Sequence, residues 1–251
     1  MTDFYTPRTA LIDGDFIVYR ASAWAHGNQG DLHDVVERVQ SDVEMWQAQA
    51  CCKKALLCLS CSRDENYRRD HYPLYKAHRS SEPPALLDAA KKALRRLGTT
   101  LTIPRLEADD IMGILATGTK VVNPVIVTVD KDLRGVPGWH LNPDKEDFPI
   151  RVTEDEADLM FFTQWLTGDT VDGFGGIKGV GAKNKLVKAL VGMSRAEREV
   201  HCLEAYAAKG YSMEEALAQA RCARILRAED FDNETRTVIP WSPAEAEIVE
   251  V

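Results

Sequence analysis

The chain is short of positive charge. Against 31 Lys and Arg stand 39 Asp and Glu, a net charge of −8 over 251 residues. A protein that gripped nucleic acid by overall charge alone would be basic, because phosphate partners favour cationic surfaces. Long apolar runs are missing too. None reaches the ~20 residues needed to cross a bilayer, so no membrane partner is expected. Six cysteines are present (Cys51, Cys52, Cys58, Cys61, Cys202, Cys222), and Cys58 and Cys61 form a lone CxxC. No second CxxC or HxxxH follows to complete a structural zinc site. No GxxxxGK[ST] loop accompanies the acidic string Asp155–Glu156–Ala157–Asp158, so that string reads as the acidic first turn of a helix rather than a nucleotide-hydrolysis box. Internal repeats and low-complexity segments are absent. The first residues lack a basic-plus-apolar signal pattern, and the expectation is a cytoplasmic protein with reduced thiols.

What is present is ordinary for a globular chain: 45% apolar and 28% charged residues, with no convincing interdomain linker. The expectation is one domain over 1–251. Residues 10–12 form an apolar run ending in Asp13–Gly14–Asp15. Residues 55–60 (ALLCLS), 101–103 and 125–129 are further strand candidates, the last ending at Asp130. Ser81, Pro83 and Pro84 read as a helix start, with the helix running to Leu97 and stopping at Gly98. Residues 107–117 have helical spacing. Three later helices open with capping boxes: Thr153 with Glu156, Ser194 with Glu197, and Ser212 with Glu215. Strands alternating with helices predict an α/β fold with a mostly parallel sheet. Trp24, Trp46 and Trp165 are read as core. Asp144–Asp147 is read as a solvent-facing loop, and the chain from Glu229 onward as irregular and peripheral.

The charge deficit is not spread evenly. Between Arg63 and Arg96 there are nine Lys or Arg and five acids, so the middle of the chain is basic. Acids gather in four clusters: Asp13 with Asp15, Glu107 with Asp109 and Asp110, Asp130 with Asp132, and Asp169 with Asp172. Asp13 and Asp130 each follow an apolar strand, and parallel sheets collect such positions at one edge. Carboxylates brought together repel unless cations or shared protons intervene. Hard oxygen ligands select Mg²⁺ or Mn²⁺, and two such ions about 4 Å apart suit in-line attack on a phosphodiester.

The last cluster runs into LTGDTVDGFGGIKGVGAKN, residues 166–184. A GxGxxG reading fails, because Asn184 stands where the third glycine would be. Gly179 and Gly181 instead suggest a hairpin whose bare backbone can approach a phosphate. Lys183 is expected to begin the second helix, whose dipole also favours an anion.

The ordered set IDGD, YPLYKAHR, EADDIMG, TVDKD and GDTVDGFGGIKGVGAKN resembles the 5′–3′ exonucleases of the flap-endonuclease superfamily, close to the small bacteriophage type. The resemblance runs from Leu11 to about Leu190. It implies a PIN-like sheet, a helical arch over about 62–82, and a helix–two-turn–helix element over about 166–191. Peripheral C-terminal helices and a tail would occupy 192–251. The implied reaction is divalent-metal-dependent hydrolysis of DNA from or near a free 5′ end. Asp13, Glu107 and Asp109, with Asp110 adjacent, would hold a first metal ion. Asp130, Asp132, Asp169 and Asp172 would hold a second. Tyr75, Lys76 and Arg79 would grip the scissile phosphate. Arg68, Arg69, Gly176, Lys178, Gly179, Gly181 and Lys183 would contact DNA, with a K⁺ ion at the helix–two-turn–helix in many relatives. RNA–DNA hybrids are a further substrate class, and a phage-encoded protein would work in the host cytoplasm. Relatives usually place an Asp after the second strand. Here Cys61 stands there and Asp64 follows three residues on; the expectation is that Cys61 takes the position. Two alternatives are a PIN-type ribonuclease and a non-catalytic DNA-structure binder. The clamp argues against the first and the carboxylate set against the second.

Overall fold

A computed structural model describes residues 8–78 and 82–244. Its centre is a six-stranded sheet of β1 (Thr9–Asp13), β2 (Lys54–Cys58), β3 (Thr99–Leu101), β4 (Pro124–Val127), β5 (Gly138–Leu141) and β6 (Ile150–Val152). The spatial order is β3-β2-β1-β4-β5-β6. Every neighbouring pair is parallel except β5 with β6. The central strands read as unbroken apolar runs because helices cover both faces. On one face α1 (Gly14–Asn28), α2 (Leu32–Gln49) and α4 (Leu87–Leu97) bury Ile17, Val39, Trp46 and Leu94 against Ile12 and Leu57. On the other, α5 (Ala108–Thr117) buries Ile111 and Met112 with Leu11 and Ile126. The short α3 (Arg68–His71) lies within the basic stretch.

A third apolar cluster lies in the C-terminal half. There α6 (Glu154–Thr167), α7 (Lys185–Ala189), α8 (Arg195–Ala207) and α9 (Met213–Ala223) surround Phe161, Phe162, Trp165, Tyr206 and Trp241. All three predicted capping boxes form, at the starts of α6, α8 and α9. Trp46 and Trp165 are fully buried, while Trp24 is only partly so.

Several expectations need correction. The second strand stops at Cys58, because the Leu59 amide turns to the Leu101 carbonyl and the Ser60 amide to Asp15 Oδ2. Strands β5 and β6 gave no sequence signal, being three or four residues long without a strong β pattern. The fourth helix begins at Leu87, with the Leu87 amide bonded to the Pro84 carbonyl; Ser81 lies outside the described residues. The loop read as solvent-facing is exposed at Asp144, Lys145 and Asp147, but Glu146 turns in to pair with Arg134 at 2.5 Å and accept the Asn142 amide. The C-terminal segment is not peripheral. Trp241 is buried, and a short hairpin of β7 (Phe231–Asp232) and β8 (Thr237–Val238) packs Phe231 into the α5 core. Gly113 on α5 lies so close to this segment that a Cβ there would stand 2.2 Å from the Leu226 carbonyl oxygen.

Candidate active site

The carboxyl ends of β1 and β4, the start of α5 and the loop after α6 enclose one cleft of about 700 Å³. Asp13, Asp15, Glu107, Asp109, Asp130, Asp132, Asp169 and Asp172 line it, together with Tyr75 and Lys76. Local folding places each acid. Asp13 ends β1 and caps α1, accepting from the Phe16 amide at 3.1 Å and from Thr128 Oγ1 at 2.8 Å. Glu107 caps α5. Asp130 caps the 3-10 turn Lys131–Gly135 by accepting the Asp132 amide at 2.8 Å. Asp169 accepts the amides of Val171 and Asp172 at 2.6 and 3.2 Å, closing the turn after α6.

The cleft has two electrostatic halves. Glu107 Oε1 accepts from Lys76 Nζ at 2.6 Å, and its Oε2 contacts Tyr75 Oη at 2.9 Å and the Arg68 guanidinium at 3.3 Å. Burial alone would raise its pKa, but Lys76 and Arg68 hold it down at about 2. Asp172 also reaches Tyr75 Oη, at 2.9 Å, and Lys76 Nζ, at 3.5 Å. Burial pulls Lys76 towards neutrality, yet Glu107 and Asp172 outweigh it and keep the ammonium charged. In the other half burial and like charge outweigh the nearby lysines. Burial, and then Asp15, raise Asp13 to about 6. Burial, and then Asp130, raise Asp132 to about 6. Asp109 is pushed well above the carboxylate range by burial, Asp13, Asp130 and Glu107.

The second half is chemically suited to hard cations. Asp132 Oδ1 is buried with no hydrogen-bond partner, an oxygen lone pair with nothing to bind. The donors around it are carboxylate oxygens, the set that Mg²⁺ and Mn²⁺ prefer. Among the described residues no three acids, His or Cys close into a finished ligand shell. Like charges with no cation between them stand apart.

Not every predicted site residue faces the cleft. Asp110 is fully buried behind it. Both its oxygens meet Arg68 at 2.7 Å, and they also accept the amides of Glu107 and Leu226. It therefore has no lone pair aimed at the cleft, and the metal-ligand assignment does not hold. Arg68, assigned to DNA, borders the cleft but is buried, its donors committed to Asp110 and Glu107. Gly176 is buried rather than offered to a phosphate. Its φ is +57°, and a Cβ there would stand 2.3 Å from the Gly168 nitrogen, so glycine is needed for the chain to pack on the end of α6. Lys178, Gly179, Gly181 and Lys183 are exposed, as a backbone clamp requires. Lys183 does not begin a helix, however, because α7 starts at Lys185 with Asn184 as its cap. Arg69 is paired to Asp64 at 3.0 Å on the surface. Cys61 lines the cleft and Asp64 does not. Arg79 lies outside the described residues.

Asp15, clustered with Asp13 in the sequence but given no metal role there, lines the cleft with its Oδ2 held by the Ser60 amide at 2.8 Å. Sequence reasoning missed other contributors. Lys91 of α4 and Lys131 are there too, as are Cys222 and Ala223 from the last turn of α9 and Ile225 just beyond it. The one signal for the last group is the run ARCARILRAED, in which arginines recur among apolar residues; Arg224 and Arg227 are both buried.

Unpaired carboxylates at the carboxyl edge of a parallel sheet, beside a charged lysine, define a metal-dependent phosphodiester hydrolase. The comparisons with known proteins agree. Residues 8–138 match the family model for the 5′-3′ exonuclease, N-terminal resolvase-like domain. The chain therefore belongs to the 5′–3′ exonuclease family. It is 24% identical to the exodeoxyribonuclease of Enterobacteria phage T3, over 93% of this chain and 92% of the relative. It is also 24% identical to the exonuclease of Escherichia phage T7, over 93% of each. Its fold is that of the bacteriophage T5 flap endonuclease, solved as a pseudo-enzyme-product complex with DNA and metal ions. The TM-score is 0.60 at 13% identity, covering 86% of this chain and 90% of that one.

Proposed function

We propose that this 5′–3′ exonuclease hydrolyses DNA phosphodiesters at or near a free 5′ end, using two divalent ions, Mg²⁺ or Mn²⁺. Asp13, Glu107 and Asp109 would hold one ion, and Asp130, Asp132, Asp169 and Asp172 the other. The observation that carries this reading is the orphaned Oδ1 of Asp132 in a cleft lined with carboxylates whose mutual repulsion helps to raise its pKa. The named activity of the T3 and T7 relatives, and the DNA and metal ions in the T5 complex, support it. A hard cation bound there supplies acidified water and stabilisation of the leaving oxygen.

The chain's own groups do the rest. Lys76 keeps a full positive charge at the meeting point of Glu107 and Asp172, where it can swing to a scissile phosphate and offset its developing charge. Tyr75 has a single O–H between two carboxylates, so it donates to only one at a time. It ties α5 to the loop after α6 across the cleft. Lys178, Gly179, Gly181 and Lys183 form an exposed basic turn suited to duplex backbone. K⁺ at that turn, RNA–DNA hybrids as substrates and a reducing cytoplasmic setting belong to the same proposal. The free state of all six cysteines supports the last of these.

The test is cleavage of 5′-labelled duplex, nicked, flap and RNA–DNA hybrid substrates with Mg²⁺, Mn²⁺ or chelator. The expected result is metal-dependent release of short products from the 5′ end. Cleavage that persists in chelator, or none with either metal, would overturn the proposal. Exchange of K⁺ for Na⁺ in a duplex-binding titration tests the monovalent site.

A further inference from the structure

The guanidinium of Arg68 has five N–H donors, and the structure accounts for all five. Its Nη1 donates to Asp110 Oδ2 at 2.7 Å and Glu107 Oε2 at 3.3 Å. Its Nη2 donates to Asp110 Oδ1 and to the Arg224 carbonyl, both at 2.7 Å. Its Nε donates to the Cys222 carbonyl at 3.2 Å. Three acceptors thus belong to the N-terminal end of α5, and two to the last turn of α9 and its C-cap. The Leu226 amide closes the circuit on Asp110 Oδ1 at 3.1 Å. The side chain is fully buried, so water replaces none of these bonds. Of the two carboxylates the fork touches, only Glu107 lines the cleft.

We infer that Arg68 is a positioning residue: it fixes the Glu107 carboxylate towards the metal centre and makes that position depend on the C-terminal helices. The inference rests on Glu107 being a metal ligand, as proposed above. The bland alternative is a buried ion pair that serves stability alone. Geometry separates the two. A stability pair needs only opposite charge, whereas positioning needs the planar fork, because a lysine ammonium with three donors cannot meet five acceptors spread over two elements.

The variants are Arg68→Lys, Asp110→Asn and the double variant, made in the full chain. The first readout is Mn²⁺ binding by titration calorimetry and by the Mn²⁺ resonance signal, with no DNA present. Cleavage under single-turnover conditions gives the second, and duplex affinity the third. Arg68→Lys should weaken Mn²⁺ binding and slow cleavage by about 10–100-fold, the usual loss when a group supporting a metal ligand is removed. Duplex affinity should stay near wild type, so the loss falls on kcat rather than KM. The double variant should be no worse than the poorer single variant, since both act through one network. Free guanidinium should partly restore Mn²⁺ binding to Arg68→Ala, and ammonium should not. If Arg68→Ala does not fold, Arg68→Lys alone decides. Unchanged Mn²⁺ binding in folded Arg68→Lys, or losses that add in the double variant, would overturn the inference. If the wild-type protein itself fails to bind Mn²⁺, the fault lies with the metal centre and not with Arg68.

Discussion

Glu107 and Asp132 are the same chemical group in one cleft, and the fold treats them oppositely. Glu107 sits among Lys76, Tyr75 and Arg68 and stays ionised down to about pH 2. Asp132 sits among Asp130, Asp169 and Asp172, and its pKa is held up at about 6. The paired half is finished by the protein itself. The unpaired half is strained by like charge, and in the absence of a cation the protein bears that strain. A site that must recruit metal ions needs the second arrangement, because repelling carboxylates gain most from a divalent cation; Glu107, already partnered, would give the first ion a fixed oxygen more than a free charge. One that must hold its shape between turnovers needs the first.

The sharpest way to break this comparison is Asp132→Asn. Removal of a ligand from the unpaired half should cut single-turnover cleavage by more than about 100-fold, beyond the loss expected for a supporting group. DNA binding should stay intact or tighten slightly, because a charge that repels phosphate has gone. Turnover within a few-fold of wild type would show that Asp132 is not a metal ligand.

The next effect is on stability in chelator, where the two halves should respond with opposite signs. Glu107→Gln takes one charged partner from Lys76 and one from Arg68, which keep Asp172 and Asp110, and should cost roughly 1–3 kcal/mol. Asp132→Asn relieves repulsion and should gain on the order of 1 kcal/mol. The pH dependence follows from the linkage. Asp132 titrates at about 6 in the folded protein against 3.8 for an unperturbed aspartate, so the folded protein holds the extra proton between those values. The gain from Asp132→Asn is therefore full above about pH 6 and gone by about pH 4. Glu107 shifts the other way, from 4.5 to about 2. Its stabilising contribution is full above 4.5 and disappears only as pH falls towards 2. Urea unfolding of both variants in chelator from about pH 3.5 to 7.5, a range that spans the Asp132 transition, checks the signs. Two losses, or two gains, would show that the halves are not distinct.

How far this was readable beforehand depended on how local the cause was. Asp13 and Asp130 were legible because an apolar strand ends at each, and a strand end is written in a few consecutive residues. The helix starts at Thr153, Ser194 and Ser212 were legible for the same reason. The division of EADD between Asp109 and Asp110 was not. Both lie in the first turn of α5, and what separates them is Arg68, whose bonds to Asp110 span 42 positions. Nor did anything local mark the chain after α9 as part of the cleft wall. That role follows from the carbonyls of Cys222 and Arg224, and carbonyls carry no residue-type signal.

The glycines of 173–181 pose the same contrast on a smaller scale. Gly176 needs its bare backbone for packing, whereas Gly181 has nothing within 4 Å of where a Cβ would stand. Gly176→Ala should therefore lower stability by roughly 1–3 kcal/mol, the range for backbone forced into a rare conformation. Gly181→Val should leave the melting temperature alone. It should weaken duplex binding several-fold and flatten its salt dependence, if phosphate lies against that turn. Short single strands should be cut nearly as before. Unchanged duplex affinity and salt slope in Gly181→Val would remove the turn from the DNA interface.

The smallest effect concerns the position where relatives carry an aspartate. Cys61 lines the cleft, and burial, with Glu107 next, raises its thiol to about 11, so it is neutral at working pH. A neutral thiol is a poor ligand for a hard cation, and this side of the site is one carboxylate short. Asp64 does not make up the deficit. Its side chain is 93% exposed and pairs with Arg69 at 3.0 Å. Cys61→Asp should consequently lower the Mg²⁺ concentration for half-maximal cleavage by a few-fold, with little change in the rate at saturation. Asp64→Asn should leave the Mg²⁺ titration where it was, because a solvated surface pair contributes little. The informative result is the reverse pattern. If Asp64→Asn shifts the titration and Cys61→Asp does not, the loop after β2 rearranges when metal binds, and Asp64 turns inward to complete the unpaired half.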